Sequence, residues 1–160
     1  MNTVLARLDN MPANRRYAIV TITRGALALG RKLRSFLVQS DLYVSQRFEI
    51  EADNNEIHIN GPFDKLAENL FQNYDSLIWI MASGIVVRSI AKLMTHKSSD
   101  PAVLVIDEGA QFVISLLSGH LGRANEDARM IASLIHATPV ITTASDVTHR
   151  LAVDSLSIGL

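Results

Sequence analysis

The stretch "SGHLGRAN", residues 118–125, sets one titratable imidazole, His120, between two glycines, Gly119 and Gly122. A histidine that titrates near neutrality can take a proton from water or return one to a leaving group. His120 is therefore the candidate general base or acid; helix capping or a core hydrogen bond is the alternative role. Backbone N–H groups around Gly119 and Gly122, or near Gly84, are candidate donors to an oxyanion. Ser118, Arg123 and Asn125 add polar side chains to the same turn.

Arg88 is the second candidate. It sits in the otherwise apolar run "GIVVRSIA", where a charge is costly unless it reaches a partner. A guanidinium fork can grip a carboxylate through two parallel hydrogen bonds. The partner is either a ligand carboxylate or an internal acid such as Asp107 or Asp146. A third pattern fails as a site. Gly25-Ala-Leu-Ala-Leu-Gly30-Arg-Lys32 has the glycine spacing of a phosphate loop, but Arg31 stands where the lysine belongs and Lys32 where a hydroxyl belongs. Its intervening residues are apolar helix formers, so it reads as a helix with an internal glycine.

Strands alternating with helices must position these residues. Apolar, β-branched runs predict strands at 17–23, 42–45, 76–82, 102–106, 111–117 and 139–143, with a short pairing at 57–59. Helical spacing predicts helices over 26–38, 64–72 and 85–94, and a fourth from the glycine turn to about residue 136. The pattern predicts an α/β fold: an open, mostly parallel twisted sheet with helices on both faces and one strand added by a hairpin at 107–110. The runs at 17–23, 77–82, 102–106 and 139–143 are apolar on both faces and are expected in its interior. In such sheets ligands collect outside the carboxyl ends of the strands. The turns at 23–25, 82–84 and 118–122 are all expected there, each followed by a helix start whose N–H groups suit an anion.

The 160 residues are 48% hydrophobic with a net charge of −1, enough for one core and no general attraction to nucleic acid or an anionic membrane. There is no cysteine, which excludes disulfides and thiolate chemistry, and the five histidines are too dispersed for a local metal motif. No signal peptide or membrane-length apolar run is present, so a cytoplasmic protein is expected. Residues 1–16 read as a loosely held arm, 17–147 as the α/β domain and 148–160 as the start of a linking region that is cut short.

Three segments, "GIVVRSIAKL", "SSDPAVLVIDEGAQFVISLLSGHLGRANEDA" and "ATPVITTASDV", occur in that order between Gly84 and Val147. Together they resemble the N-terminal domain of the CbiG family of cobalamin-biosynthesis proteins. The resemblance implies the anaerobic route to vitamin B12 and hydrolytic opening of the cobalt-precorrin-5A δ-lactone, with release of acetaldehyde and formation of cobalt-precorrin-5B. It implies a cobalt-corrinoid substrate that carries its own metal, hence no cofactor of the protein. It also implies a partnership with a C-terminal CbiG domain or other enzymes of the pathway. On this view His120 would activate the water, Gly84, Ser118, Gly119, Gly122 and Asn125 would line the substrate, and Arg88 and Arg123 would hold its peripheral carboxylates. Arg123 replaces a glycine common in the family, so backbone approach there is expected to differ. Two other readings remain: a corrinoid-binding module without a reacting group, and a nucleotide-binding regulatory domain that rests on fold analogy alone.

Overall fold

Three strands, β1 (Tyr17–Thr21), β4 (Ser76–Ile80) and β5 (Ala102–Ile106), are buried at every position, which is why their sequences read as continuous apolar runs. The computed structural model describes residues 14–51 and 54–143. Around these strands lie β2 (Ser40–Val44), β3 (Glu56–His58), β6 (Phe112–Leu117) and β7 (Thr138–Val140). The sheet order is β3-β2-β1-β4-β5-β6-β7. Every neighbouring pair is parallel except the β5–β6 hairpin.

Among the described residues four helices cover the sheet: α1 (Arg24–Phe36), α2 (Phe63–Asn73), α3 (Ser83–Ile90) and α4 (Ala124–Ile135). Successive strand residues alternate between the two faces. Tyr17, Ile19, Ile78, Ile80 and Leu104 pack with Leu33 of α1 and Ile131 of α4. Ala18, Val20, Leu77, Trp79 and Val103 pack with Leu70 of α2 and Val86 of α3. Each such aliphatic side chain contributes roughly 1.5–3 kcal/mol on full burial. Gly30 lets α1 settle closely on the strands, since a Cβ there would lie 2.8 Å from Leu42 Cδ1 and 2.9 Å from Thr21 Cγ2. That is the packing reason for the glycine in the false phosphate loop.

The structure has the expected α/β layout, with one correction. The run at 139–143 is not an interior strand: β7 forms an edge, beginning at Thr138 and ending at Val140, with Thr138 and Pro139 exposed. Proline has no N–H to donate, so the sheet tolerates Pro139 best at a margin. Helix α3 also differs, starting at Ser83 rather than beyond Gly84 and ending at Ile90. No helix among the described residues is long and apolar enough to cross a membrane. Most of the proposed arm, 1–13, and the proposed linking region, 148–160, lie outside the described residues.

Candidate functional site

The chain leaves β1 toward β2 on one side and later returns as β4 on the other, so the β1–β4 boundary is the point where the strand order reverses. Loops diverge at such a boundary and leave a crevice at the carboxyl ends of the strands. A hollow of about 380 Å³ lies there. Ile22 and Thr23 after β1, Met81, Ala82 and Ser83 after β4, and Asp107 and Glu108 after β5 line it, with Ile85, Val105 and Ile114 adding apolar wall. A second hollow of about 320 Å³ adjoins it through Ile22 and runs past Arg47 and Gly61 to Phe63.

Two helices begin at the crevice. Thr23 caps α1, its Oγ1 accepting the Ala26 N–H at 3.2 Å, as a hydroxyl before a helix should. Ala82 precedes α3 and has no side chain to cap it. A Cβ at Gly84 would meet nothing within 4 Å, so that glycine answers no packing demand and leaves α3's first turn open to solvent. Arg88 lies one helical turn further on. It is exposed and makes no hydrogen bond or ion pair among the described residues, so the expected cost of a charge in an apolar run does not arise. Neither proposed internal partner is observed: Asp107 serves its own hairpin, and Asp146 lies outside the described residues.

The hairpin tip explains the two carboxylates. Asp107 Oδ1 accepts the Gln111 and Phe112 N–H groups at 2.9 and 2.6 Å, and Ala110 takes a left-handed φ of 55° to close the turn. Glu108 is left at the tip without a hydrogen bond among the described residues, and its side chain folds back over the first turn of α1. Its carboxylate occupies the place a side chain at Gly25 would need. In the sequence, 107–110 reads as a hairpin connection with Asp107 as one possible partner of Arg88, and Glu108 draws no notice. The rule that placed ligands beyond the carboxyl ends applies equally to β5, and would have drawn attention to Asp107 and Glu108.

The SGHLGRAN turn lies at the opposite end of the sheet, which corrects the expectation that three glycine turns converge. Because β6 runs antiparallel to β5, its final residue Leu117 pairs with Val103 near the start of β5. Ser118 Oγ donates to the Asp100 carbonyl at 3.1 Å, and Arg15, just before β1, donates to the Gly122 carbonyl at 2.7 Å. These contacts fix Ser118, Gly119, His120, Gly122, Arg123 and Asn125 at the amino ends of the parallel strands, away from Gly84 and Arg88. The glycines there have a packing reason. A Cβ at Gly119 would lie 2.7 Å from Asn125 Oδ1, and one at Gly122 would lie 2.8 Å from the Ser118 carbonyl oxygen.

Other side chains of that turn are committed as well. Asn125 is buried, accepting from Ser115 Oγ at 2.7 Å and donating to Thr143 Oγ1 at 2.9 Å. Arg123 adopts φ 68° before α4 and pairs with Glu126. The His120 imidazole is exposed and makes no hydrogen bond among the described residues. His136 is an exposed left-handed cap of α4. Beneath the turn, burial holds the Asp127 carboxyl above the usual carboxylate range against the opposing charge of Arg15. Burial, then the Asp127 charge, pushes the Tyr17 hydroxyl far above its ordinary value. Among the described residues no group of three side chains is arranged to hold a metal ion.

The family model described as "Cobalamin synthesis G N-terminal" matches residues 65–146. The chain is 45% identical over 141 residues to the cobalt-precorrin-5A hydrolase of Priestia megaterium, covering 86% of this chain and 37% of that protein. It is 43% identical over 143 residues to the cobalt-precorrin-5A hydrolase of Salmonella typhimurium strain LT2, covering 89% of this chain and 40% of the relative. A solved structure described as a cobalamin biosynthesis protein G homolog from Sulfolobus solfataricus superposes with a TM-score of 0.60 at 28% identity, covering 80% of this chain and 37% of that one. The chain thus spans less than half the length of the relatives it matches.

Proposed function

The chain belongs to the cobalamin synthesis G N-terminal family, and from that premise we propose that it receives the corrinoid substrate of a cobalt-precorrin-5A hydrolase in the β1–β4 crevice. The observation that carries the proposal is the hollow at the reversal of strand order. Its apolar walls, Ile22, Met81, Ile85 and Ile114, suit the flat face of a macrocycle. Arg24, Arg47 and Arg88 are exposed and carry no ion pair among the described residues. They are positioned by sequence at or near the same sheet end, where peripheral carboxylates would project outward from the two acidic side chains.

In this reading water adds to the δ-lactone carbonyl, the ring opens, and acetaldehyde is released to give cobalt-precorrin-5B. Cobalt arrives with the substrate, and the chain contributes no cofactor. A cytoplasmic setting accompanies the reading. The part of the relatives that this chain does not match is the proposed partner, covering the crevice and excluding water. His120, at the other end of the sheet, has no assigned part. The alternative of a binding module without a reacting group is not favoured, since the relatives are named as hydrolases.

The test is to titrate the chain with cobalt-precorrin-5A, following the corrinoid absorbance, and to assay acetaldehyde with and without the remaining part of a relative. Ile85→Asp puts a charge into the apolar wall at a helix N-terminus, where an acid does not harm the helix. Affinity should fall by about tenfold or more, as expected for burying an unpaired charge against a ligand. Undiminished binding by Ile85→Asp would place the substrate elsewhere.

A further inference from the structure

Glu108 is the carboxylate in the crevice that carries no hydrogen bond among the described residues, where Ser83 is the other side chain without one. Asp107 is held by two backbone N–H groups, and Thr23 caps α1. Glu108 is exposed and bonds to nothing among the described residues. It lies over the first turn of α1 because residue 25 has no side chain, and it lines a wall that is otherwise largely apolar. The glycine therefore makes room for an acceptor group inside the hollow.

We propose that Glu108 is the general base of the reaction assigned above, seated by Gly25; the inference rests on that assignment. In the first step Glu108 takes a proton from water while the water oxygen bonds to the lactone carbonyl carbon. As the adduct collapses, the C–O bond breaks and the proton passes to the departing alkoxide, leaving a ring carboxyl and a free alcohol. In the second step Glu108 takes the alcohol proton and the C–C bond to the ring breaks. Acetaldehyde leaves, the electron pair enters the ring's conjugated imine, and the held proton follows it there. One carboxylate serves both steps and ends as it began.

The experiment compares wild type, Glu108→Gln, Glu108→Asp, Gly25→Ala and Gly25→Ala/Glu108→Gln. Each is assayed for cobalt-precorrin-5A binding, acetaldehyde release across pH, and melting, alone and with the remaining part of a relative. Glu108→Gln should lose about 10²–10⁴-fold in kcat with little change in binding or Tm. Gly25→Ala displaces the flexible end of Glu108 and should lower kcat by itself, yet add little to Glu108→Gln. Glu108→Asp should recover part of the rate. Turnover of Glu108→Gln within tenfold of wild type, or additive losses in the double variant, overturns the role of Glu108 and leaves the crevice assignment standing. Failure of the wild type to bind the corrinoid or release acetaldehyde overturns both.

Discussion

Arg15 reaches Asp127 across 112 positions of sequence, its Nε and one terminal nitrogen 3.1 and 2.7 Å from a single carboxylate oxygen. The pair is almost wholly covered, at 10% and 6% side-chain exposure. The same guanidinium bonds the Gly122 carbonyl and stands 5.8 Å from the centre of the Tyr17 ring. One side chain thereby ties the entry to β1, the glycine turn and α4 together.

Removing one partner of a buried pair strands the other charge. Arg15→Leu should therefore destabilise the protein by roughly 3–5 kcal/mol, on the order of 10 °C in Tm for a chain of this size. The pH dependence has a definite sign. Burial holds the folded-state pKa of Asp127 above its unfolded value, so its contribution is full below the unfolded value and is lost as pH rises through the folded one. Arg15 opposes that rise, so Arg15→Leu should lose further stability from about pH 4 upward. Urea midpoints across pH measure both effects; a constant deficit at every pH would show that Asp127 is not the group involved.

Glu56 predicts the opposite limb. Burial pushes its carboxyl up, but the Arg31 fork at 2.8 and 2.9 Å and the Glu51 N–H at 2.7 Å outweigh this and hold it below the usual range. A depressed pKa contributes stability above the unfolded value and loses it as pH falls through the folded one. Glu56→Gln should be less stable near neutrality and show a flatter loss of stability below about pH 4. Parallel acid limbs in the two proteins would exclude Glu56 as a source of that loss.

At the amino end of the sheet, Gly122→Ala forces a Cβ against the Ser118 carbonyl oxygen, a backbone atom that cannot swing aside. The expected loss is about 1–3 kcal/mol, as for overpacking, with turnover per folded molecule unchanged. His120→Asn should keep acetaldehyde release within about threefold of wild type, since a lost general base typically costs 10²–10⁴-fold. A loss of that larger size, with stability intact, would return the chemistry to the SGHLGRAN turn.

Arg88 tests the outer rim of the crevice. It is exposed and unpaired among the described residues, so Arg88→Ala should move stability by no more than about 0.5 kcal/mol. Corrinoid binding should weaken, and Arg88→Lys should restore it only partly because the planar fork is gone. Melting and titration of the same samples separate the two roles; a lowered Tm with unchanged affinity makes Arg88 structural.

Much of the architecture is written locally. Strands covered on both faces must be apolar throughout, so β1, β4 and β5 stand out in the sequence, and the helical spacing of α1 marks the face it buries. Local chemistry also explains the hairpin after β5. Two features are not local. Whether the run near Pro139 lies inside the sheet or at its margin depends on which strands find neighbours, and its composition alone pointed inward. Which end of the sheet receives the SGHLGRAN turn depends on the direction of β6, because its antiparallel pairing with β5 sends its carboxyl end to the amino ends of β1 to β5. The residue types in that turn suggest chemistry, yet tertiary structure commits its glycines and Asn125 to packing. The same structure brings Glu108 onto Gly25, 83 positions away in sequence, a contact that no spacing within either segment encodes.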